Sequence, residues 1–253
     1  MPDLIKLKDI RADLQIHSDY DIETSHDIGA SSMKDIVKKA NELGYEYIAF
    51  TEHNPSKSKH TRDDIYKILA GKKENIEKLN SSLQESGLKH IYNSLEVDIL
   101  PDGKLPLDDN SLELLDFALV SIHSSFRQDR KKMTERVLRA LDNPKVKIFA
   151  HPTGRKLGER EGVELDWSRI FEFCVENDKW IEINTNPERL DLPDHLVKDA
   201  IDAGIKLTLG TDAHHIDHMD FMEWGVSVAR RGWATKNDVI NTLPYNEFDK
   251  LIK

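Results

Sequence analysis

The chain has 253 residues, 38% of them hydrophobic and 32% charged, enough to bury a core and stay solvated. A net charge of −10 argues against a nucleic-acid footprint spread over the whole surface, while leaving room for a local basic patch. No apolar run approaches the roughly 20 residues that span a bilayer, the opening "MPDLIKLKDI" has no apolar signal region, and a single cysteine excludes an internal disulfide, so a cytoplasmic protein with no membrane partner is expected.

Short apolar runs alternate with amphipathic helices along the chain. The first strand is expected near 12–17, ending "ADLQIH". Ser32 and Asp35 form a capping-box pattern before Met33, Ile36, Val37, Ala40 and Leu43, and Gly44 stops that helix. "YEYIAFTEH" is the second strand. Thr61 and Asp64 cap a long helix whose stripe runs from Ile65 to Leu83 and closes at Gly87. "HIYNSLEVD" reads as one third strand and "DFALVSIH" as the fourth, with a short helix near 108–115 between them. The helix of Met133, Val137, Leu138 and Leu141 precedes the fifth strand, "VKIFAH". The helix of Trp167, Ile170, Phe171 and Cys174 precedes the sixth, "WIEINT", and places Cys174 as a buried, inert thiol. A helix ending at Gly204 leads to the seventh strand, "IKLTLGTDAH", and helical segments near 217–231 and 236–243 follow.

Strand alternating with helix implies parallel strands and right-handed crossovers. Seven such units suggest an α/β barrel, closed or nearly so, in one domain over residues 1–253; an open doubly wound sheet is the competing architecture. The strands finish on His17, His53, Glu96, His123, His151, Asn184 and the Asp212/His214 pair. In an α/β barrel those ends share one rim, where active sites are built. Five of the 11 histidines therefore converge with carboxylates, a pattern that folding alone does not demand. Imidazole mixed with carboxylate suits Zn, Mn or Fe better than Mg or Ca. The donors are too many for one ion, so two or three divalent ions are expected. Such ions can activate a water and clamp both oxygens of a phosphate ester. His60, His90, His195, His215 and His218 fall outside this rim pattern and receive no role.

These residues carry a resemblance. "HSDY", "TEHN", "LEVD", "SIHS", "AHPTG" and "GTDAH" resemble, in order, the motifs of the polymerase and histidinol phosphatase (PHP) superfamily. The resemblance implies a distorted (β/α)7 barrel, TIM-barrel-like, with a trinuclear metal site at the C-terminal strand ends and phosphoesterase activity. "NSLEVDILPDGKLPL", "AHPTGR" and "INTNPERLDL" are similar to the PHP domain of bacterial and archaeal family X DNA polymerases. That closer likeness implies a manganese-dependent 3′→5′ exonuclease or 3′-end processing activity. No polymerase domain precedes these residues, so a free-standing relative or a separated domain is expected.

The resemblance makes His17, His53, Glu96, His123, His151, Asp212 and His214 metal ligands. It puts a further ligand in the loop "SDYDIETSHDIG", with His26 the first choice and Asp27 the second. The family opens with His-x-His, where this chain has Gln15-Ile16-His17. Residues two apart on a strand share a face, so Gln15 points at the site and offers a neutral oxygen, a weaker donor than imidazole. Glu52 stands where the family usually has Asp. Arg127, Arg130, Arg155 and Arg189 lie in loops on the metal rim, and Arg forks match phosphate oxygens. Arg127 and Arg155 are taken as the phosphate-binding catalytic pair. A DNA 3′ end or nucleotide is the expected substrate. The alternatives are a histidinol-phosphate-type or other small-molecule phosphatase, an amidohydrolase-like C–N hydrolase and a catalytically weak binding module.

Overall fold

The computed structural model describes residues 2–83 and 87–253. In chain order the elements are β1 (Ala12–Ile16), α1 (Met33–Glu42), β2 (Tyr47–Phe50), α2 (Arg62–Ser81), β3 (His90–Asn93), β4 (Glu96–Asp98), α3 (Asp109–Leu112) and β5 (Ala118–Ser121). Then come α4 (Arg130–Leu141), β6 (Val146–Phe149), α5 (Trp167–Glu176), β7 (Trp180–Asn184), α6 (Asp194–Asp202), β8 (Leu207–Gly210), α7 (Met222–Arg231) and α8 (Tyr245–Ile252). Side-chain oxygens of Ser32 and Thr61 accept from the amides of Asp35 and Asp64, so α1 and α2 begin where the capping pattern puts them.

All strand pairings are parallel, in two sheets ordered β1-β2-β3 and β4-β5-β6-β7-β8. Two seams join the sheets into a distorted barrel. At one, Ile16 bridges Ala213, the His17 amide donates to the Ala213 carbonyl at 2.8 Å, and the Asp212 amide donates to the Gln15 carbonyl at 2.9 Å. At the other, His53 bridges Glu96 and the Asn54 amide donates to the Glu96 carbonyl at 3.2 Å. Both seams run through residues of the expected metal rim.

The expected third strand, residues 90–98, is two strands. The break falls at Ser94 and Leu95, and β3 pairs with β2 while β4 pairs with β5. A side chain from α2 sits at the break. The ammonium of Lys72, fully buried, donates to the carbonyls of Ser94 and Phe50 and lies 2.7 Å from Glu52 Oε2. The Ser94 hydroxyl donates to the Phe117 carbonyl at 2.9 Å. These bonds hold Ser94 outside either ladder and let the chain step from one sheet to the other.

Other expectations shift at their ends. Helix α2 stops at Ser81, and its expected course to Gly87 crosses residues 84–86, which lie outside the described residues. Helix α3 is a single turn, and 236–243 forms two 3-10 turns, Lys236–Asp238 and Ile240–Thr242. Helix α8 was not expected; it plugs the N-terminal end of the barrel. Phe248 of α8 is buried and stacks on Tyr47 at 4.6 Å between ring centroids, with Tyr92, Phe117 and Trp180 around it. Ile48 and Phe50 face the helices, whereas Tyr47 and Ala49 face this plug, as period-2 alternation requires. Cys174 is buried in α5, and burial pushes its thiol up to about 12. No helix among the described residues is long and apolar enough to cross a membrane.

Removing one partner of a buried ion pair strands the other charge, at a cost of about 3–5 kcal/mol. Lys72→Met should therefore destabilise the fold by about that amount in urea melts, and Lys72→Met with Glu52→Gln should recover part of it. An unchanged midpoint for Lys72→Met would show that the pair does not carry this weight.

Candidate metal centre

The barrel places one buried carboxylate at the middle of its C-terminal rim. Glu96, at the start of β4, is fully buried, yet its pKa is held well below the usual carboxylate range. Burial works against the charge, and the imidazoles of His53, His151 and His123 outweigh it. Oε1 lies 2.7 Å from His151 Nε2 and 3.1 Å from His123 Nε2. Oε2 lies 3.2 Å from His17 Nε2 and 3.7 Å from His53 Nδ1. Asp212 Oδ1 is 3.1 Å from His17 Nε2 on the far side. The rings of His17 and His214 stack at 4.2 Å, and those of His17 and His53 at 4.6 Å.

The loop after β1 brings in both of its candidates. His26 Nε2 lies 2.8 Å from Asp98 Oδ1, beside His123. Asp27 reaches His53 Nε2 at 3.4 Å and His214 Nε2 at 3.3 Å. The choice between His26 and Asp27 thus becomes a pair, one on each side of the rim. Gly29 permits this course: a Cβ there would fall 2.3 Å from the His17 carbonyl oxygen.

Asp98 was not singled out from sequence. It stands two residues after Glu96 on the same strand, so the period-2 rule was the available signal. Its Oδ1 is 2.8 Å from His123 Nδ1. A carboxylate on Nδ1 leaves the Nε2 lone pair aimed at the centre. The Asp212 carbonyl does the same for His214, 2.9 Å from its Nδ1.

Do these residues fit divalent ions? Four overlapping triads have ligand atoms within 4.8 Å of one another: His17/His53/His214, His26/Asp98/His123, His53/Glu96/His123 and His17/Glu96/Asp212. Among the described residues the buried His17 Nδ1 and His151 Nδ1 have no partner, and His17 Nε2, His53 Nδ1 and His214 Nε2 meet only carboxylate oxygens, at 3.1–3.7 Å and without hydrogen-bond geometry. Buried polar atoms are normally satisfied, so this concentration at one rim fits a cluster of cations.

Gln15 faces the centre as expected, fully buried, but as a donor. Its Nε2 gives a hydrogen bond to Glu96 Oε2 at 2.8 Å, while its Oε1 is turned to Asn184 Nδ2 at 3.4 Å. Gly210 makes room for it: a Cβ there would lie 2.7 Å from Gln15 Cβ and 2.2 Å from Glu182 Oε1. Glu182, buried beneath the rim, accepts from the His151 amide at 2.7 Å, and burial pushes its pKa well up. Glu52 points away from the centre; it accepts from the Ser18 hydroxyl at 2.6 Å and pairs with Lys72. His151 and Asp212 have positive φ, 27° and 54°, a costly backbone region for non-glycine residues that clusters at functional sites.

The arginines separate. Arg127 is exposed on the loop after β5. Arg155 is anchored by two of its five N–H groups: Nε donates to the Arg189 carbonyl at 2.9 Å and Nη2 to the Leu190 carbonyl. Arg155 therefore clamps the loop after β7. The arginine that reaches the centre is Arg189, mostly buried, with Nε 3.6 Å from Asp212 Oδ2.

Two predictions follow from this geometry. Carboxylates Asp212 and Glu96 overcome burial and raise His17 to about 10, and Glu96 with Asp98 raises His123 to about 9. In the cation-free protein both rings hold protons at neutral pH that must leave before the nitrogens can ligate. Mn²⁺ affinity should rise steadily from pH 6 to pH 8, and uptake should acidify a weakly buffered solution; a flat profile in titration calorimetry would contradict this. Glu96→Gln should lower Mn²⁺ content per chain, measured by elemental analysis, because one carboxylate faces several imidazoles at once.

A sequence model of the PHP domain matches residues 13–186. The chain is 36% identical over 252 residues to the DNA polymerase/3′-5′ exonuclease PolX of Bacillus subtilis, covering 99% of this chain and 42% of that protein. It thus spans less than half the length of that relative. It is 25% identical over 225 residues to a probable phosphatase of Thermoanaerobacter sp. (strain X514), covering 84% of each. A candidate histidinol phosphatase from Listeria monocytogenes shares the fold, with a TM-score of 0.61 at 16% identity, covering 82% of this chain and 97% of that one. With over half of its length matched by the domain model and nearly all of it aligned to PolX, this chain belongs to the PHP family of metal-dependent phosphoesterases.

Proposed function

We propose that this chain hydrolyses phosphoester bonds at DNA 3′ ends, as a 3′→5′ exonuclease or 3′-end processing enzyme. The observation that carries this reading is the 36% identity to a polymerase/exonuclease across 99% of the chain. Bound divalent ions, two or three of Mn, Zn or Fe, would supply a Lewis acid and lower the pKa of a water. His17, His26, His53, Glu96, Asp98, His123, His151, Asp212 and His214, with Asp27, would hold them. Among the described residues the Arg189 guanidinium has one ion pair, at 3.6 Å, leaving N–H groups for a phosphate oxygen, and Arg155 keeps its loop in place. Exposed Arg127 would meet the substrate backbone farther out.

A small-molecule phosphatase is the second reading. It is favoured by the match to a probable phosphatase, which covers 84% of both chains. One assay separates the two. Mn²⁺-loaded protein should shorten a 5′-labelled oligonucleotide from its 3′ end at least about tenfold faster, per kcat/KM, than it hydrolyses histidinol phosphate or p-nitrophenyl phosphate. The reverse order would establish the phosphatase instead. Arg189→Ala should lower kcat/KM on the preferred substrate by about 10–100-fold with bound metal unchanged, as expected for a lost charge-assisted contact to phosphate. Equal kinetics would remove Arg189 from the phosphate.

A further inference from the structure

The rim is chemically lopsided. Of the two oxygens of Glu96, Oε1 faces only imidazole: His151 Nε2 at 2.7 Å and His123 Nε2 at 3.1 Å. Oε2 accepts an N–H from Gln15 at 2.8 Å. The asymmetry continues along a chain of amides. Asn184 Nδ2 lies 3.4 Å from Gln15 Oε1 and donates to Asp212 Oδ2 at 3.1 Å, and Arg189 Nε is 3.6 Å from the same oxygen. Gln15 and Asn184 are both fully buried, so water does not compete for these bonds. A carboxylate lone pair occupied by an N–H is not available to a cation, and a guanidinium alongside repels one.

The pocket bounded by His17, Glu96 and Asp212 is the one triad of the four, among the described residues, that holds two carboxylates, and a buried side-chain amide donates to each of them. Around His123 the facing carboxylate oxygens, Glu96 Oε1 and Asp98 Oδ1, meet imidazole and no amide, while Asp98 Oδ2 on the outer side accepts from the Ser25 hydroxyl at 3.0 Å.

We propose that the Gln15–Asn184 amide pair divides the centre into unequal subsites: a tight divalent site at His123, with Glu96 and Asp98, and a weak, exchangeable one at His17, Glu96 and Asp212. The amide pair is a device for selective vacancy: it satisfies the two carboxylates when the second cation is away, and it must be partly dismantled when that cation arrives. The weak subsite then fills only at high metal concentration, and its occupancy follows the supply of divalent ion.

Mn²⁺ is the probe, read by calorimetry and by the room-temperature EPR signal of free Mn²⁺. Wild type should show two classes of site at least about tenfold apart in Kd. Gln15→His removes the amide donor and adds an imidazole, and it should tighten the weak class by about 10–100-fold, the range known for changes around metal ligands, while leaving the tight class unchanged. Gln15→Glu tests the same point with a carboxylate, should the histidine variant fail to fold; it too should tighten the weak class. Asn184→Ala frees Asp212 Oδ2 and should move the weak class in the same direction by a smaller factor. A single class in wild type, or a weak class unaltered in every folded variant, would overturn the proposal. The inference rests on the metal centre and not on the substrate, so a failed nuclease assay leaves it standing, and equal metal sites would leave the nuclease reading intact.

Discussion

The charge on Glu96 is the interaction on which the rest depends. A carboxylate in a dry interior is expensive unless it is paired and hydrogen-bonded. Glu96 meets that condition by drawing four histidines and one glutamine from the ends of four strands to its two oxygens. Those partners sit at or just past the C-terminal ends of β-strands, where the barrel brings distant parts of the chain together. The barrel thus supplies the convergence, and the convergence makes a charged interior tolerable. The same geometry gathers lone pairs beyond what protein donors satisfy, and that surplus suits the centre to cations.

Around this point the acids are sorted by environment. Glu96 and Asp212 stay ionised beside imidazole. Glu182 and Asp13, one layer deeper, have no cation to offset burial; Glu182 is pushed well up and Asp13 to about 7. Asp13 is absorbed into structure, accepting from the Thr211 amide at 3.1 Å across the β1–β8 seam. Negative charge is thereby concentrated at the rim and thinned below it.

Much of this was legible in the sequence because it rests on periodicity and strand ends. The alternation of apolar runs and capped helices gives the barrel, and a ligand-type residue at successive strand ends gives the rim. What was not legible depends on contacts between distant segments. Nothing local in "HIYNSLEVD" marks the break at Ser94, since the cause is the Lys72 ammonium, 22 residues away. Arg155 follows a rim histidine, but its anchorage was hidden: the carbonyls it binds belong to the loop after β7, which a linear reading does not bring near. Helix α8 was missed although Phe248 and Leu251 stand at helical spacing, because the segment is short and its apolar partner, the barrel floor, is assembled from four strands. Gln15 faces the centre, as its two-residue step from His17 implies, but whether it offers oxygen or nitrogen is set by Asn184, 169 residues on.

The floor formed by Phe248 has a consequence for how the molecule assembles. Tyr47, Tyr92, Phe117 and Trp180 come from strands spread over most of the chain, and the ring that covers them comes from residues 245–252. The β1–β8 seam likewise joins Ile16 to Ala213. Closing such long loops carries an entropic cost before the contacts can reward it. Closure of this barrel rests on contacts of long sequence separation at both its floor and its β1–β8 seam, a topology that folds slowly for its size.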